Sequence, residues 1–174
     1  QGVHIAYGDA DRHNVKYGYR PLGGNFGIET VDATGVLGMD VSLALDAWGG
    51  VHVSYSDRSN RAVKYAYRPS GGAFTTQSVL VYSSPREQGV GDAQTSLGVD
   101  GAGGVHIGYL ASSSTLLGYL YRPAGGSWRR QEVHFWGPGQ CSTGLDNSLL
   151  VDANGTVHVS HEGCGLLYSD LACQ

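Results

Sequence analysis

Short runs in which apolar or aromatic residues dominate alternate along the whole chain with clusters of Gly, Pro, Asp and Asn. In the stretch 40–81 four runs stand out, Val41–Asp46, Val51–Asp57, Ala62–Arg68 and Phe74–Val81, called here a, b, c and d. Runs of this length between turn residues predict β-strands joined by hairpins. The a–b turn reads Asp-Ala-Trp-Gly-Gly and the c–d turn Arg-Pro-Ser-Gly-Gly. Gly supplies the positive φ of a tight turn, and Pro presets a turn while being excluded from a central ladder. Run b alternates only weakly, with Val51, Val53 and Tyr55 against His52 and Ser54. That predicts a strand buried on both faces.

The pattern repeats. GGVHVSYSDRSNRAVKYAYRPSGGAF from Gly49 has a counterpart GVHIAYGDADRHNVKYGYRPLGGNF from Gly2 and another, GGVHIGYLASSSTLLGYLYRPAGGSW, from Gly103. A broken copy, GTVHVSHEGCGLLYSDLACQ, starts at Gly155. The Val-His pair places histidines at His4, His52, His106 and His158, in steps of 48, 54 and 52 residues. Ser-Leu-x-x-Asp recurs at Ser42–Asp46, Ser96–Asp100 and Ser148–Asp152. Self-similarity at this period marks a repeat architecture. Four-stranded antiparallel units that are apolar on both faces predict an all-β fold, a β-propeller whose blades stack around an axis. The first unit supplies b, c and d and the last a, b and c, so the chain carries about 3.5 blades, at approximately 1–32, 40–81, 95–136 and 147–174. Both ends thus offer strands b and c. A simple splice would duplicate them, which predicts a ring completed by a second chain or by sequence missing here. A four-bladed ring with two defective blades is the alternative.

V-H-[VI]-x-Y, Y-x-Y-R-P-x-G-G and S-L-x-x-D together resemble the repeats of secreted bacterial propellers, the broad group that includes propeller lectins and Asp-box proteins. The Asp-box pattern S-x-D-x-G-x-x-W itself is not met, since Ser and Asp stand four apart here. The resemblance implies a secreted or cell-surface recognition module.

Charge changes this picture little. A net charge of −4 with scattered Arg and Lys offers no basic field for nucleic acid. No apolar run reaches membrane-spanning length, and a chain that opens on Gln1 looks processed or excised.

Comparison between repeats separates two ends of the blades. The a–b and c–d turns hardly vary (DAWGG, DGAGG, DANGT; RPLGG, RPSGG, RPAGG). The b–c and d–a loops vary in length and chemistry. Loops free to differ on a fixed scaffold carry recognition more often than invariant turns do. The expected ligand-binding residues on that variable face are Arg12, His13, Arg58, Asn60, Tyr82, Arg86, Glu87, His134 and Trp136. Trp136 serves equally as a sugar-stacking ring or as a cap on a blade edge.

The same geometry sorts the cysteines. Cys141 and Cys164 fall in loops of the variable face, whereas Cys173 ends strand c at the other. A bridge from Cys164 to Cys173 would span a strand of nine residues at about 3.3 Å each, against about 6 Å between the Cα atoms of a disulfide. A Cys141–Cys164 bridge is therefore expected, with Cys173 free or paired to another chain. No C-x-x-C occurs, and no metal site is expected.

The remaining signals have plain structural readings beside sharper ones. The Val-His imidazoles recur in every repeat, so they are expected to bridge strands, for instance to the Ser of S-L-x-x-D, and not to catalyse. Arg20, Arg68 and Arg122 share a face with Asp46, Asp100 and Asp152; turn-tying ion pairs are expected, with an arginine cluster for an acidic ligand as the alternative. His161 and Glu162 could do acid–base work or mark an irregular last blade. Asp9 and Asp11 form a sparse oxygen set for Ca²⁺, and no cofactor is otherwise expected.

The favoured expectation is a non-enzymatic extracellular module that binds glycans, or a surface protein, through its variable face. The alternatives are an assembly protein in which half-propellers self-associate, and a fragment of a glycoside hydrolase or lyase.

Overall fold

The computed structural model describes residues 2–81, 94–111, 116–135, 146–162 and 166–171. Blade 1 consists of β1 (Gly2–Asp9), β2 (Asn14–Pro21) and β3 (Gly27–Asp32). Blade 2 consists of β4 (Leu37–Leu45), β5 (Val51–Asp57), β6 (Ala62–Arg68) and β7 (Thr75–Val81). Blade 3 consists of β8 (Gln94–Val99), β9 (Val105–Ala111), β10 (Leu116–Arg122) and β11 (Arg129–Phe135). Blade 4 consists of β12 (Asn147–Val151), β13 (Val157–Glu162) and β14 (Leu166–Leu171). Each blade is an antiparallel sheet whose strands pair in chain order. β4 packs on β8 and β8 on β12, while β1 packs on β4, so the leading strands gather on one side of the stack. This is a β-propeller arrangement, as the repeat pattern predicts.

Register is the same from blade to blade. Val3, Val51 and Val105 stand opposite Arg20, Arg68 and Arg122, and in blade 4 Val157 stands opposite Leu171. A register shift recurs at one point in the c–d pairing, at Val15/Lys16, Val63/Lys64 and Leu117/Gly118. A bulge of this kind increases local twist, which stacked blades require.

The core lies between blades. Val15, Tyr17 and Val31 of blade 1 meet Val51, Val53 and Tyr55 of blade 2. Val63 and Tyr65 of blade 2 meet Leu97, Val105, Ile107 and Tyr109 of blade 3. Leu117 and Tyr119 of blade 3 meet Val157, Val159 and Leu171 of blade 4. Every residue of β5 is buried, because both of its faces are covered by neighbouring sheets. Each such aliphatic or aromatic side chain contributes about 1.5–3 kcal/mol of burial.

Side-chain bridges fasten the blades near their leading strands. Leu97 N donates to Ser42 Oγ at 3.0 Å, and Ser54 Oγ donates to Thr95 Oγ1 at 2.9 Å. Ser96 bonds Asn147 in the same manner at the next junction. The Ser of S-L-x-x-D therefore ties blade to blade and does not meet the Val-His imidazole.

Candidate functional site

The segment Tyr-x-Tyr-Arg-Pro at the end of strand c in blades 1, 2 and 3 builds the site. Successive strand residues point to opposite faces. The two tyrosines of each copy therefore face the following blade and the Arg faces the preceding one, while Pro closes the strand. The junctions of blades 1 and 2 and of blades 2 and 3 each receive a tyrosine from one side and an arginine from the other, whereas at the junction of blades 3 and 4 Leu171 stands in the place of the arginine.

At the junction of blades 2 and 3, Arg122 Nη2 donates to Tyr65 Oη at 3.1 Å. The guanidinium carbon lies 4.9 Å from the centroid of the Tyr65 ring and 5.1 Å from that of Trp128. The two rings meet edge to face with centroids 5.4 Å apart. At the junction of blades 1 and 2, Arg68 Nη2 donates to Tyr17 Oη at 3.1 Å, and its guanidinium lies 4.5 Å from Tyr17 and 5.3 Å from Phe74. Arg68 also pairs with Glu29. In register, Glu29 stands opposite Tyr17 and Gln77 opposite Tyr65, so the acidic partner of the first cleft is an amide in the second. The first cleft holds about 460 Å³ and is walled by Tyr17, Tyr19, Ile28, Glu29 and Arg68.

The expected Arg–Asp ion pairs do not form at these positions. Asp46 is instead the cap of its own turn: Oδ1 accepts from Trp48 N at 2.9 Å and from Gly50 N at 2.7 Å, around Gly49 at φ +80°. Its Oδ2 lies 3.1 Å from His52 Nε2. A carboxylate only accepts, so Nε2 carries the proton, and the neutral ring then accepts at Nδ1 from Tyr65 Oη at 2.6 Å. The result is a directed chain, Arg122 to Tyr65 to His52 to Asp46. Tyr119, His106 and Asp100 repeat the last three members at 2.6 Å and 3.1 Å. Burial lowers the pKa of His52 and of His106, outweighing the carboxylate beside each ring. Burial likewise pushes the Tyr65 phenol up to about 12. His52 and His106 are thus neutral, buried bridges, as the recurrence of the Val-His pair predicts.

The opposite, variable end of the junction between blades 1 and 2 is organised around Lys64. This buried ammonium pairs with Asp32, lies 3.7 Å from Asp57 and donates to Thr34 Oγ1 at 3.1 Å. Tyr55 Oη donates to Asp32 Oδ2 at 2.7 Å. Burial would raise the Asp32 pKa, but donors from Lys64, Thr34 and Tyr55 outweigh it and hold the carboxyl at about 2.

Of the loop residues singled out from sequence, Arg12 forms an ion pair with Asp9 at 3.3 Å, and Asn60 Nδ2 donates to Asp57 Oδ2 at 2.8 Å. His13 occupies the left-handed region at φ 53°, and its carbonyl accepts from Leu37 N at 3.3 Å. Arg58 N donates to Val36 O at 2.8 Å. Val36 and Leu37 therefore draw the β1–β2 and β5–β6 loops to one end of the stack. Tyr82, Arg86, Glu87 and Trp136 lie outside the described residues, as do Cys141, Cys164 and Cys173; His134 lies on β11 with its side chain outside them. His161 is buried, and the Glu162 side chain is likewise outside the described set. Asp9 accepts from Arg12 N, and no group of three or more candidate metal ligands occurs among the described residues.

No protein-family model and no curated protein sequence matches the chain. Solved structures do. A triple arginine-to-alanine variant of AofleA from Arthrobotrys oligospora superposes with a TM-score of 0.56 at 12% identity, over 99% of this chain and 56% of that one. The likeness is one of fold. The chain spans little more than half the length of that relative. An endo-arabinase from Bacteroides thetaiotaomicron VPI-5482 matches over 99% of this chain and 75% of its own, with a TM-score of 0.47 at 9% identity. A thermostable family-43 glycoside hydrolase matches over 99% and 71%, with a TM-score of 0.47 at 13% identity. These hydrolases correct the expectation of a non-enzymatic chain.

Proposed function

We propose that this chain handles carbohydrate, and that its blade-junction clefts are where sugar is held. The observation that carries this reading is the placement of Arg122 against the rings of Tyr65 and Trp128, repeated by Arg68 against Tyr17 and Phe74. A sugar ring presents C–H faces that pack on aromatic surfaces and hydroxyls that take guanidinium donors; the partly exposed Arg122 and Trp128, like Arg68 and Phe74, offer both, above the buried rings of Tyr65 and Tyr17. An arginine stacked on aromatics is a fixed fork of donors, since its plane cannot turn without losing the stacking. Glu29 in the first cleft and Gln77 at the matching position of the second add an acceptor of different charge. The two clefts therefore differ in the hydroxyl or amine pattern they favour.

The variable face supplies a second reading, since Val36 and Leu37 bring the loops bearing Arg12, His13, Arg58 and Asn60 together.

The deciding experiment is titration calorimetry against neutral and acidic oligosaccharides, with reducing-end release followed on the same sugars. Arg122→Ala and Trp128→Ala should each weaken binding tenfold or more while the circular dichroism spectrum stays unchanged. Binding that survives both substitutions and disappears in Arg12→Ala with Arg58→Ala would transfer the site to the loop face. Binding to no oligosaccharide at all would remove the reading.

A further inference from the structure

The junctions of blades 1 and 2 and of blades 2 and 3 are built alike, and they specify what the two open faces of the stack accept. In blades 2 and 3 the first three inward residues of strand b are buried completely: Val51, Val53 and Tyr55, then Val105, Ile107 and Tyr109, all at 0% exposure. Their counterparts in blade 1 are uncovered, with Val3 at 41%, Ile5 at 44% and Tyr7 at 39%. Phe26, which matches Phe74 and Trp128 in the repeat, is 42% exposed, and Arg20 lies over its ring at 5.1 Å. Blade 1 thus presents an arginine and an aromatic ring arranged as Arg122 and Trp128 are, facing away from the stack.

Blade 4 presents the other half. Tyr168 stands opposite Ser160 as Tyr65 stands opposite Ser54, so it occupies the position that receives an arginine at the junctions of blades 1 and 2 and of blades 2 and 3. It is 61% exposed, and Leu150, on the same open face, is 65% exposed. The Tyr168 hydroxyl bonds His158, as Tyr65 bonds His52. It also donates to Asp170 Oδ1 at 2.5 Å, which sets a carboxylate beside the position an incoming guanidinium would take.

We propose that the open face of blade 1 receives the open face of blade 4 from a second copy of this chain, head to tail, with Tyr168 of one copy seated against Arg20 and Phe26 of the other. The contact is heterologous: the patches differ, each is complementary to the other, and two such contacts related by a two-fold axis close a ring. Two copies bring eight sheets, within the usual range of propeller blades. Each contact covers Val3, Ile5, Phe26 and Leu150, and it creates a further arginine–aromatic cleft to which the copies contribute one side each. The association rests on the repeated packing and stands whether or not the clefts take sugar.

Light scattering across a concentration series reads this directly. The chain should run at twice its 18.3 kDa mass; a monomeric mass at all concentrations would overturn the proposal. Phe26→Asp blocks one patch and Leu150→Asp the other, at exposed positions, so each variant should keep its circular dichroism melt and lose the doubled mass. Mixing the two variants should restore a dimer through the single intact junction. Leu150→Asp that remains dimeric, or a mixture that stays monomeric, would refute a head-to-tail contact.

Discussion

Arg122 and Tyr65 belong to different blades, yet one guanidinium nitrogen donates to the phenol at 3.1 Å while the guanidinium carbon stands 4.9 Å from the same ring. The phenol in turn donates to His52, which donates to Asp46 at the turn of its own blade. The arginine at the junction is thereby coupled, through Tyr65 and His52, to the turn that shapes the blade.

Tyr65→Phe tests that coupling. The substitution keeps the ring and removes the proton that Tyr65 donates to His52 Nδ1, leaving a buried acceptor without that partner. A loss of about 1–3 kcal/mol is expected in urea unfolding, with the native fold retained. Arg122→Lys should behave differently: charge remains but the planar stack is lost, so sugar affinity should fall in calorimetry with little change in melting temperature.

The histidines set one pH limit. His52 and His106 have pKa values lowered from 6.5 by burial, so the unfolded chain binds protons more readily than the folded one. Their contribution is fully present above pH 6.5 and declines as pH falls below it. Melting temperature followed from pH 8 to pH 5 should drop in the parent chain, and His106→Gln should flatten that slope.

Asp32 sets a second, more acidic limit. A carboxyl held at about 2 against an ordinary 3.8 gives the folded state about 2 kcal/mol, present above pH 4 and lost as pH falls toward 2. Lys64→Met should cost more, about 3–5 kcal/mol, because Asp32 and Asp57 would be left buried without their counter-charge. Chemical denaturation at pH 7 checks the second value, and an acid titration of the parent chain checks the first.

Two glycines separate packing from backbone effects. A Cβ on Gly118 would fall 2.0 Å from the Tyr109 ring, whereas one on Gly27 meets nothing within 4 Å. Gly118→Ala should destabilise by about 1–3 kcal/mol through overpacking. Gly27→Ala should be neutral or stabilise by up to about 1 kcal/mol through the unfolded chain. Parallel melts of the two variants read the difference.

Strands, turns and the repeat were legible because each depends on near neighbours: period-two alternation, Gly and Pro at turn positions, and the V-H and S-L-x-x-D markers at a constant spacing. The expected burial of strand b on both faces is met by β5, and the reading of the Val-His imidazoles as bridges is met by His52 and His106. Their partners are Tyr and Asp and not the expected Ser, because the Ser side chain points to the next blade and the Asp curls back over its own turn. The junction clefts escaped notice for a related reason. Tyr65 and Arg122 lie more than one repeat apart, and the constancy of Y-x-Y-R-P reads as structural when repeats are compared.

The amino-acid sequence by itself determined the blade: its strands, its register and the alternation that sends tyrosine to one face and arginine to the other. Only the tertiary structure decided which groups meet. A repeat specifies two complementary faces but not their contact, and it is the stacking of one blade on the next that brings an arginine over a tyrosine from another repeat. The same stacking buries Tyr55 at one junction and leaves its counterpart Tyr7 uncovered, a difference that no local pattern encodes.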